Sequence, residues 1–234
     1  MDGNGRWAEG RGVPRSAGHR AGGRAVERVV TAAPAAGIRV LTLYAFSSDN
    51  WSRPMPEVAT LMHLFAGYLR SERERAVANG VAIEVLGRRD RLSEALRREI
   101  TATEAATAGG ARLLLRLAVD YSARDALLGA AHLVAEETAP PDRARFADLV
   151  ALATHGRPGT PPVDLLIRTG GEQRLSDFLL WECAYAELFF LDLMWPEFSP
   201  GVLDDVLARF RTRERRFGAL PASASRGHLH LIRR

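Results

Sequence analysis

The sequence predicts an α/β protein: a single domain whose mainly parallel central sheet is flanked by helices. Three observations predict it. Apolar runs rich in β-branched residues recur at 38–46, 81–87, 112–121 and 163–168, and a helix-like segment separates each from the next, the alternation that builds a parallel sheet with helices on both faces. The runs are nearly continuous in hydrophobicity rather than alternating, as expected of strands buried on both sides. A chain of 234 residues, 47% hydrophobic and 26% charged, suits one sizeable core.

Taken in order, helices are expected at 18–33, 56–78, 92–108, 123–137 and 200–216, with Pro56 placed where a first helical turn tolerates it. A weaker strand is expected at 187–191. Pro34 and the pair Pro140-Pro141 mark helix ends, and 157–162 reads as an exposed loop. Residues 219–234 read as a loosely ordered tail behind a domain covering 1–218. No internal repeat or low-complexity linker interrupts this pattern.

Composition excludes several classes. The most apolar stretch, 178–195, is broken by Glu182, Glu187 and Asp192, so no run is long enough to span a bilayer. The first residues lack the basic-then-apolar pattern of a signal peptide, and a single cysteine, Cys183, forms no internal disulfide. A cytoplasmic location is the expectation. All 32 basic residues are arginine and the net charge is +4; abundance of this kind follows from base composition and does not argue for nucleic acid. Arginine position says more, because a planar fork of donors beside loop glycines matches phosphate oxygens.

Ligands of open α/β sheets bind outside the carboxyl ends of the strands, and two polar loops follow strands there. One is Ser47-Ser48-Asp49-Asn50-Trp51-Ser52-Arg53-Pro54. The other is Arg168-Thr169-Gly170-Gly171-Glu172-Gln173-Arg174-Leu175-Ser176, where a glycine turn could aim both arginines and the Ser176 hydroxyl at one anion. A third segment, Asp2-Gly3-Asn4-Gly5-Arg6-Trp7-Ala8 with Arg15 and His19, places glycines before a helix and suggests a diphosphate site. It is no Walker loop, since the glycine-lysine-serine ending is absent. Singly, each feature has a plainer reading: a flexible terminus, a solvated turn, a helix-start histidine, a packing tryptophan.

Their conjunction is more specific. Segments 2–8, 43–54, 167–176, Phe178-Leu179-Leu180-Trp181, Ala184-Tyr185-Ala186-Glu187-Leu188 and 213–218 resemble, in order, the signature segments of the cis-prenyltransferase (undecaprenyl diphosphate synthase-like) family. The resemblance implies Z-selective condensation of isopentenyl diphosphate onto an allylic diphosphate primer, with products ranging from short chains to an undecaprenyl-like lipid carrier. It also implies an internal hydrophobic tunnel, a homodimer, Mg²⁺, a product that partitions to membrane, an enzyme peripheral to that membrane, and no nucleic-acid partner. Position by position it implies that Asp2 is catalytic and metal-associated, and that Gly3, Asn4, Gly5, Arg6, Trp7, Arg15 and His19 surround the primer diphosphate. Ser47, Ser48, Asp49, Asn50, Trp51 and Arg53 form the condensation loop, with Asn50 catalytic. Arg168, Arg174 and Ser176 clamp isopentenyl diphosphate, and Glu187 is a second metal ligand. Asn50 is a poor base, so relay or orientation is its expected role.

Three positions depart from the family pattern: Asp49 replaces a common glutamate, Gln173 a frequent histidine, and Asp120-Tyr121-Ser122-Ala123-Arg124 the usual asparagine-tyrosine-glycine-glycine-arginine. The last is expected to alter product length or primer choice. An all-helical trans-prenyltransferase is excluded by the strand pattern, and Asp204-Asp205 lacks the second half of its aspartate motif. A short-chain synthase and a non-catalytic partner subunit of the same fold remain as alternatives; retention of Asp2, Asn50, Arg168, Arg174 and Ser176 favours an active enzyme. Finally, the family aspartate follows an apolar strand. The natural protein is therefore expected to begin upstream of Met1, and without that strand Asp2 is expected to be poorly positioned and turnover weak.

Overall fold

The computed structural model describes residues 1–213. Helix α1 (Asn4–Glu9) and helix α2 (Arg15–Ala32) precede strand β1 (Val40–Ser47), a 3₁₀ helix (Ser48–Ser52) and helix α3 (Met55–Ala78). Strand β2 (Val81–Leu86), helix α4 (Glu94–Thr107), strand β3 (Leu113–Tyr121), helix α5 (Ala123–Val134) and helix α6 (Arg143–Ala153) follow. Strand β4 (Leu165–Arg168), strand β5 (Glu187–Phe190) and helix α7 (Pro200–Arg211) complete the order. The signature segment 213–218 beyond its first residue, the end of the helix expected at 200–216 and the expected tail lie outside the described residues.

Among the described residues the five strands pair in parallel, but in two pieces: a sheet of order β1-β3-β2 and a pair β4-β5. Central β3 and its neighbour β2 are buried almost throughout, which explains why their sequences lack alternation. The charges they carry face each other in register: Arg116 donates to Glu84 over 2.8 Å, and Arg157 closes the group from outside. A buried charge survives only when paired in this way. On the opposite face, Leu43, Ile83, Val85, Leu115 and Leu117 form the main core with residues of α2, α3, α4 and α7.

Helix starts obey local chemistry. Ser93, Ser122, Asp142 and Ser199 each accept a hydrogen bond from an amide of the first turn, satisfying donors that have no intrahelical partner. Two helices differ from expectation. Helix α6 was hidden behind Pro140-Pro141, although Asp142 as a cap and apolar Phe146, Leu149 and Val150 at helical spacing signal it; its Leu149 and Val150 pack on Ala126 and Ala130 of α5. Helix α1 occupies the segment expected to be a glycine loop, entered through Gly3 in the left-handed region (φ 96°).

Strands β1 and β4 are edges of their respective pieces, and these edges border opposite sides of a cavity of about 870 Å³. Its walls are Leu41 and Leu43 on one side and Leu165 and Ile167 on the other, with Phe198, Leu203 and Leu207 behind. Among the described residues no strand lies between the two edges. No helix among them is long and apolar enough to cross a membrane.

Candidate active site

The mouth of this cavity lies at the carboxyl ends of β1 and β4, where all three polar segments meet. Asp2 sits beside the end of β4 because its backbone is fixed twice. Its N–H donates to the Thr169 hydroxyl (3.0 Å), and its carbonyl accepts from that hydroxyl (3.0 Å) and from the Trp195 N–H (2.9 Å). Trp195 is itself held by its indole N–H on the Gly22 carbonyl and by stacking on Phe198. Thr169 and Trp195 were not among the expected site residues. An apolar tryptophan in a loop and a threonine after a strand carry no chemical signal of their own, and only tertiary contact reveals them.

The Asp2 carboxylate accepts from Arg168 (2.9 Å) and from the Gly3 N–H (2.7 Å), with Arg6 at 3.6 Å. Burial alone would raise its pKa, but the Arg168 bond, the Gly3 amide and the charges of Arg168 and Arg6 outweigh this and hold it below the usual carboxylate range. Burial pushes the Met1 α-amino group down to about 6, against the raising charge of Asp2.

Arg168 joins two segments. One end of its guanidinium meets Asp2; the other donates to Ser176 Oγ (2.8 Å) and to the Arg174 carbonyl. The side chain is only 14% exposed, whereas that of Arg174 is 62% exposed and pairs with Glu172 at 2.5 Å. The two arginines are thus unequal. Gly170 and Gly171 make the turn between them, and their N–H groups are taken by the Leu193 and Leu191 carbonyls, so an anion here meets guanidinium and hydroxyl groups rather than these amides. Gly170 has φ 92°, a backbone conformation that strains any other residue, and a Cβ there would crowd the Asp2 backbone at 3.3 Å and make the Arg6 guanidinium, 2.8 Å away, swing aside. Ser176 and Asp177 also adopt left-handed backbone, at φ 50° and 61°. That conformation costs each about 1–2 kcal/mol, offset by anchorage of the Asp177 carboxylate, which accepts from Ser122 Oγ and the Arg124 N–H at the start of α5.

On the opposite side of the mouth, Glu57 of α3 gathers Arg15 (3.4 Å), Arg53 (3.3 Å) and His19 (3.6 Å). Burial tends to raise the Glu57 carboxyl, but the Arg15 bond and the charges of Arg15, Arg53 and His19 prevail and keep it low. Burial pushes the His19 pKa down, against the raising charge of Glu57. Glu57 was missed in the sequence, where it reads as an ordinary helix carboxylate. The buried His19 Nε2 of this group has no hydrogen-bond partner, nor does the buried Asn4 Oδ1 on α1.

The condensation loop is a self-capped turn. Ser47 Oγ accepts from the Asp49 N–H, and Asn50 Oδ1 accepts from the Ser47 N–H (both 3.1 Å). With its carbonyl oxygen engaged, Asn50 offers a ligand its NH₂ group: it can donate and orient, and it cannot act as a base. Asn50, Asp49, Ser47 and Arg53 line the cavity, as do Gly3, Gly5, Arg6 and Arg174. Trp7, Ser48 and Trp51 are not among its lining residues. Trp7 lies on α1 under the Arg11 guanidinium, and Trp51 packs edge-on against Phe46, so both contribute by packing rather than by direct contact.

Glu187, expected as a second metal ligand, lies at a different level of the sheet from Asp2. It pairs with Leu165 at the start of β5, whereas Asp2 adjoins Arg168 and Thr169 at the far end of β4; three residues of strand, roughly 10 Å, separate the two levels. Glu187 instead meets Arg213. Strand register, invisible in the sequence, keeps the two carboxylates apart within one chain. Among the described residues no group of three His, Cys, Asp or Glu side chains is placed to hold a metal. Asp2 alone, ionised at the cavity mouth, still fits Mg²⁺ bound in the manner usual for diphosphates, with a carboxylate or two and the substrate's own oxygens as ligands.

Known proteins resemble this chain along most of its length. The family model described as putative undecaprenyl diphosphate synthase matches residues 1–218. Isoprenyl transferase 1 of Bradyrhizobium diazoefficiens is 56% identical over 222 residues, covering 95% of this chain and 88% of its own length. The ditrans,polycis-undecaprenyl-diphosphate synthase ((2E,6E)-farnesyl-diphosphate specific) of Shewanella oneidensis is 46% identical over 221 residues, covering 93% and 80%. Among solved structures, lavandulyl diphosphate synthase from Lavandula x intermedia, in complex with dimethylallyl diphosphate, superposes with a TM-score of 0.87 at 33% identity, covering 93% of this chain and 95% of that one. A probable undecaprenyl diphosphate synthase from Campylobacter jejuni gives 0.75 at 31%, covering 85% and 92%.

Proposed function

This chain belongs to the undecaprenyl diphosphate synthase family and is a cis-prenyltransferase, and from that premise we propose how its residues divide the reaction. The observation that carries the proposal is Arg168, which ties Asp2 to Ser176 at the mouth of an apolar cavity. Isopentenyl diphosphate is clamped by Arg168, Arg174 and Ser176. The allylic diphosphate is held by Arg6, Arg15, Arg53, His19 and Asn4, with its hydrocarbon tail in the cavity. Asp2 would hold Mg²⁺ with substrate oxygens, and the ion would neutralise charge on the leaving diphosphate. Arg15 and Arg53 stabilise the same charge as the allylic carbon–oxygen bond breaks. The isopentenyl double bond then attacks the allylic carbon as inorganic diphosphate leaves, and a C2 proton of the isopentenyl unit passes to a diphosphate oxygen or to water, leaving a Z double bond. Asn50 orients the reacting groups by donation.

The longer-chain reading, toward an undecaprenyl-like carrier, is favoured by the relatives named for that product. A short-chain product is the second reading, supported by the likeness to a lavandulyl diphosphate synthase. We also propose a homodimer that works in the cytoplasm beside the membrane receiving its product; exposed Leu152, Trp181, Tyr185 and Leu188 are apolar surface suited to a second copy. Incubation with labelled isopentenyl diphosphate, primers from dimethylallyl to geranylgeranyl diphosphate and Mg²⁺, followed by chromatography, tests the proposal. A Z-configured prenyl diphosphate is expected, and no consumption by folded protein with any primer would refute it.

A further inference from the structure

Next to the condensation loop lies a charged pair with no part in the roles assigned above. Asp120, near the end of β3, is fully buried, and its carboxylate takes both forks of Arg91: Nε at 3.0 Å and Nη2 in a shorter contact. Its position is the product of an irregularity. The pairing of β1 with β3 runs evenly to Tyr44 and Ala118, skips Ala45 to pair Phe46 with Val119, then skips Asp120 to pair Ser47 with Tyr121. Asp120 takes left-handed backbone, φ 52°. Bulges of this kind turn a side chain out of the sheet's alternation. The strained residue is fixed from the adjoining turn as well, since the Arg88 N–H donates to the Asp120 carbonyl over 3.0 Å.

The guanidinium so fixed lies over the Trp51 ring, 5.4 Å from its centroid, while the edge of that ring meets Phe46 at 5.5 Å. Trp51 is therefore held between a residue of β1 and an arginine whose own orientation is set by Asp120. Its neighbours Asn50 and Arg53 reach the cavity and it does not. Within the loop itself, the Ser47–Asn50 and Ser47–Asp49 bonds, a Ser52-to-Asp49 bond and the Arg53 N–H on the Asn50 carbonyl hold the turn together, but none of them ties it to the sheet beyond Ser47.

We propose that Arg91 and Asp120 are positioning residues for the condensation step, acting through Trp51 to hold Asn50 at the cavity mouth, while Arg53 keeps its own tie to Glu57. The proposal rests on the reading of that loop given above. Neither residue lines the cavity, so their loss leaves substrate binding in place and lowers turnover. Displacing a reacting group by about 1 Å lowers a rate on the order of 10²-fold.

Arg91→Met alone strands a buried carboxylate and is liable to unfold the chain, so the decisive variant removes both charges, Arg91→Met with Asp120→Asn, asparagine being tolerated in the left-handed backbone. With its melting temperature near that of the parent, kcat is expected to fall at least tenfold while KM for each diphosphate changes less than threefold. Asp120→Asn alone, which keeps an acceptor for Arg91, is expected to recover most of kcat. Adding Trp51→Phe to the double variant should cost little more, because the three residues act as one unit. An unchanged kcat in a folded double variant overturns the proposal, as does a rise in KM at constant kcat, which would mean that Arg91 binds diphosphate directly. If the parent chain shows no prenyl transfer at all, the loop reading itself fails; loss confined to the variants keeps the two cases apart.

Discussion

The sharpest expectation concerns Arg168 and Arg174, which look alike in the sequence and differ in the fold. Arg174→Ala removes an exposed side chain whose pair with Glu172 is solvent-screened, so stability should change by less than about 1 kcal/mol. A charged hydrogen bond lost to a phosphate costs about 1.5–3 kcal/mol, which at about 1.4 kcal/mol per tenfold corresponds to a rise of about 10- to 150-fold in KM for isopentenyl diphosphate; KM for the allylic primer should move little. Arg168→Ala acts more widely. It deletes the bonds to Asp2, Ser176 and the Arg174 carbonyl, frees the Asp2 carboxylate from its strongest lowering partner, and loosens the left-handed turn. Both KM values should rise, kcat should fall, and the melting temperature should drop. The assay is steady-state kinetics with each substrate varied in turn, with thermal melts of both variants. Indistinguishable behaviour of the two variants would refute the reasoning, and so would a selective effect of Arg168→Ala on isopentenyl diphosphate.

Three further outcomes follow. Gly18→Ala places a methyl group 2.0 Å from the Asn4 carbonyl, forcing α1 off α2; overpacking of this kind costs about 1–3 kcal/mol, and calorimetry should show it with weakened primer binding, whereas a neutral substitution would mean that the α1–α2 contact is looser than described. Glu57→Gln removes the carboxylate that competes with diphosphate for Arg15, Arg53 and His19, so inorganic pyrophosphate should inhibit more tightly while kcat falls; weaker inhibition would show that Glu57 serves instead to assemble the site. Because the folded pKa of Asp2 is depressed, its contribution to stability is complete above the unfolded value of 3.8 and is lost as pH falls through the folded value. Asp2→Asn should accordingly lose less stability than the parent in acid melts below that pH, and parallel acid profiles would contradict the Arg168 pairing.

The strands at 81–87 and 112–121 were legible because a strand buried on both faces must be apolar along its whole length, whatever its neighbours are. Helix α6 was missed because a proline pair outweighed a valid Asp142 cap, a matter of competing local signals. The loops after β1 and β4 were found by residue type: arginines, glycines and an asparagine beyond a strand end carry chemistry wherever they occur. What residue type could not convey was which groups meet. That Arg168 bonds Asp2 across 166 positions, that Glu57 gathers cations from α2 and the condensation loop, and that register holds Glu187 away from Asp2 are consequences of packing between distant segments. The sequence by itself determined the elements and the chemical inventory, since these depend on local periodicity and on side-chain type. Only the tertiary structure decided the partners of each charge, because a charge's role is set by what lies within a few ångströms of it, and chain distance says nothing of that.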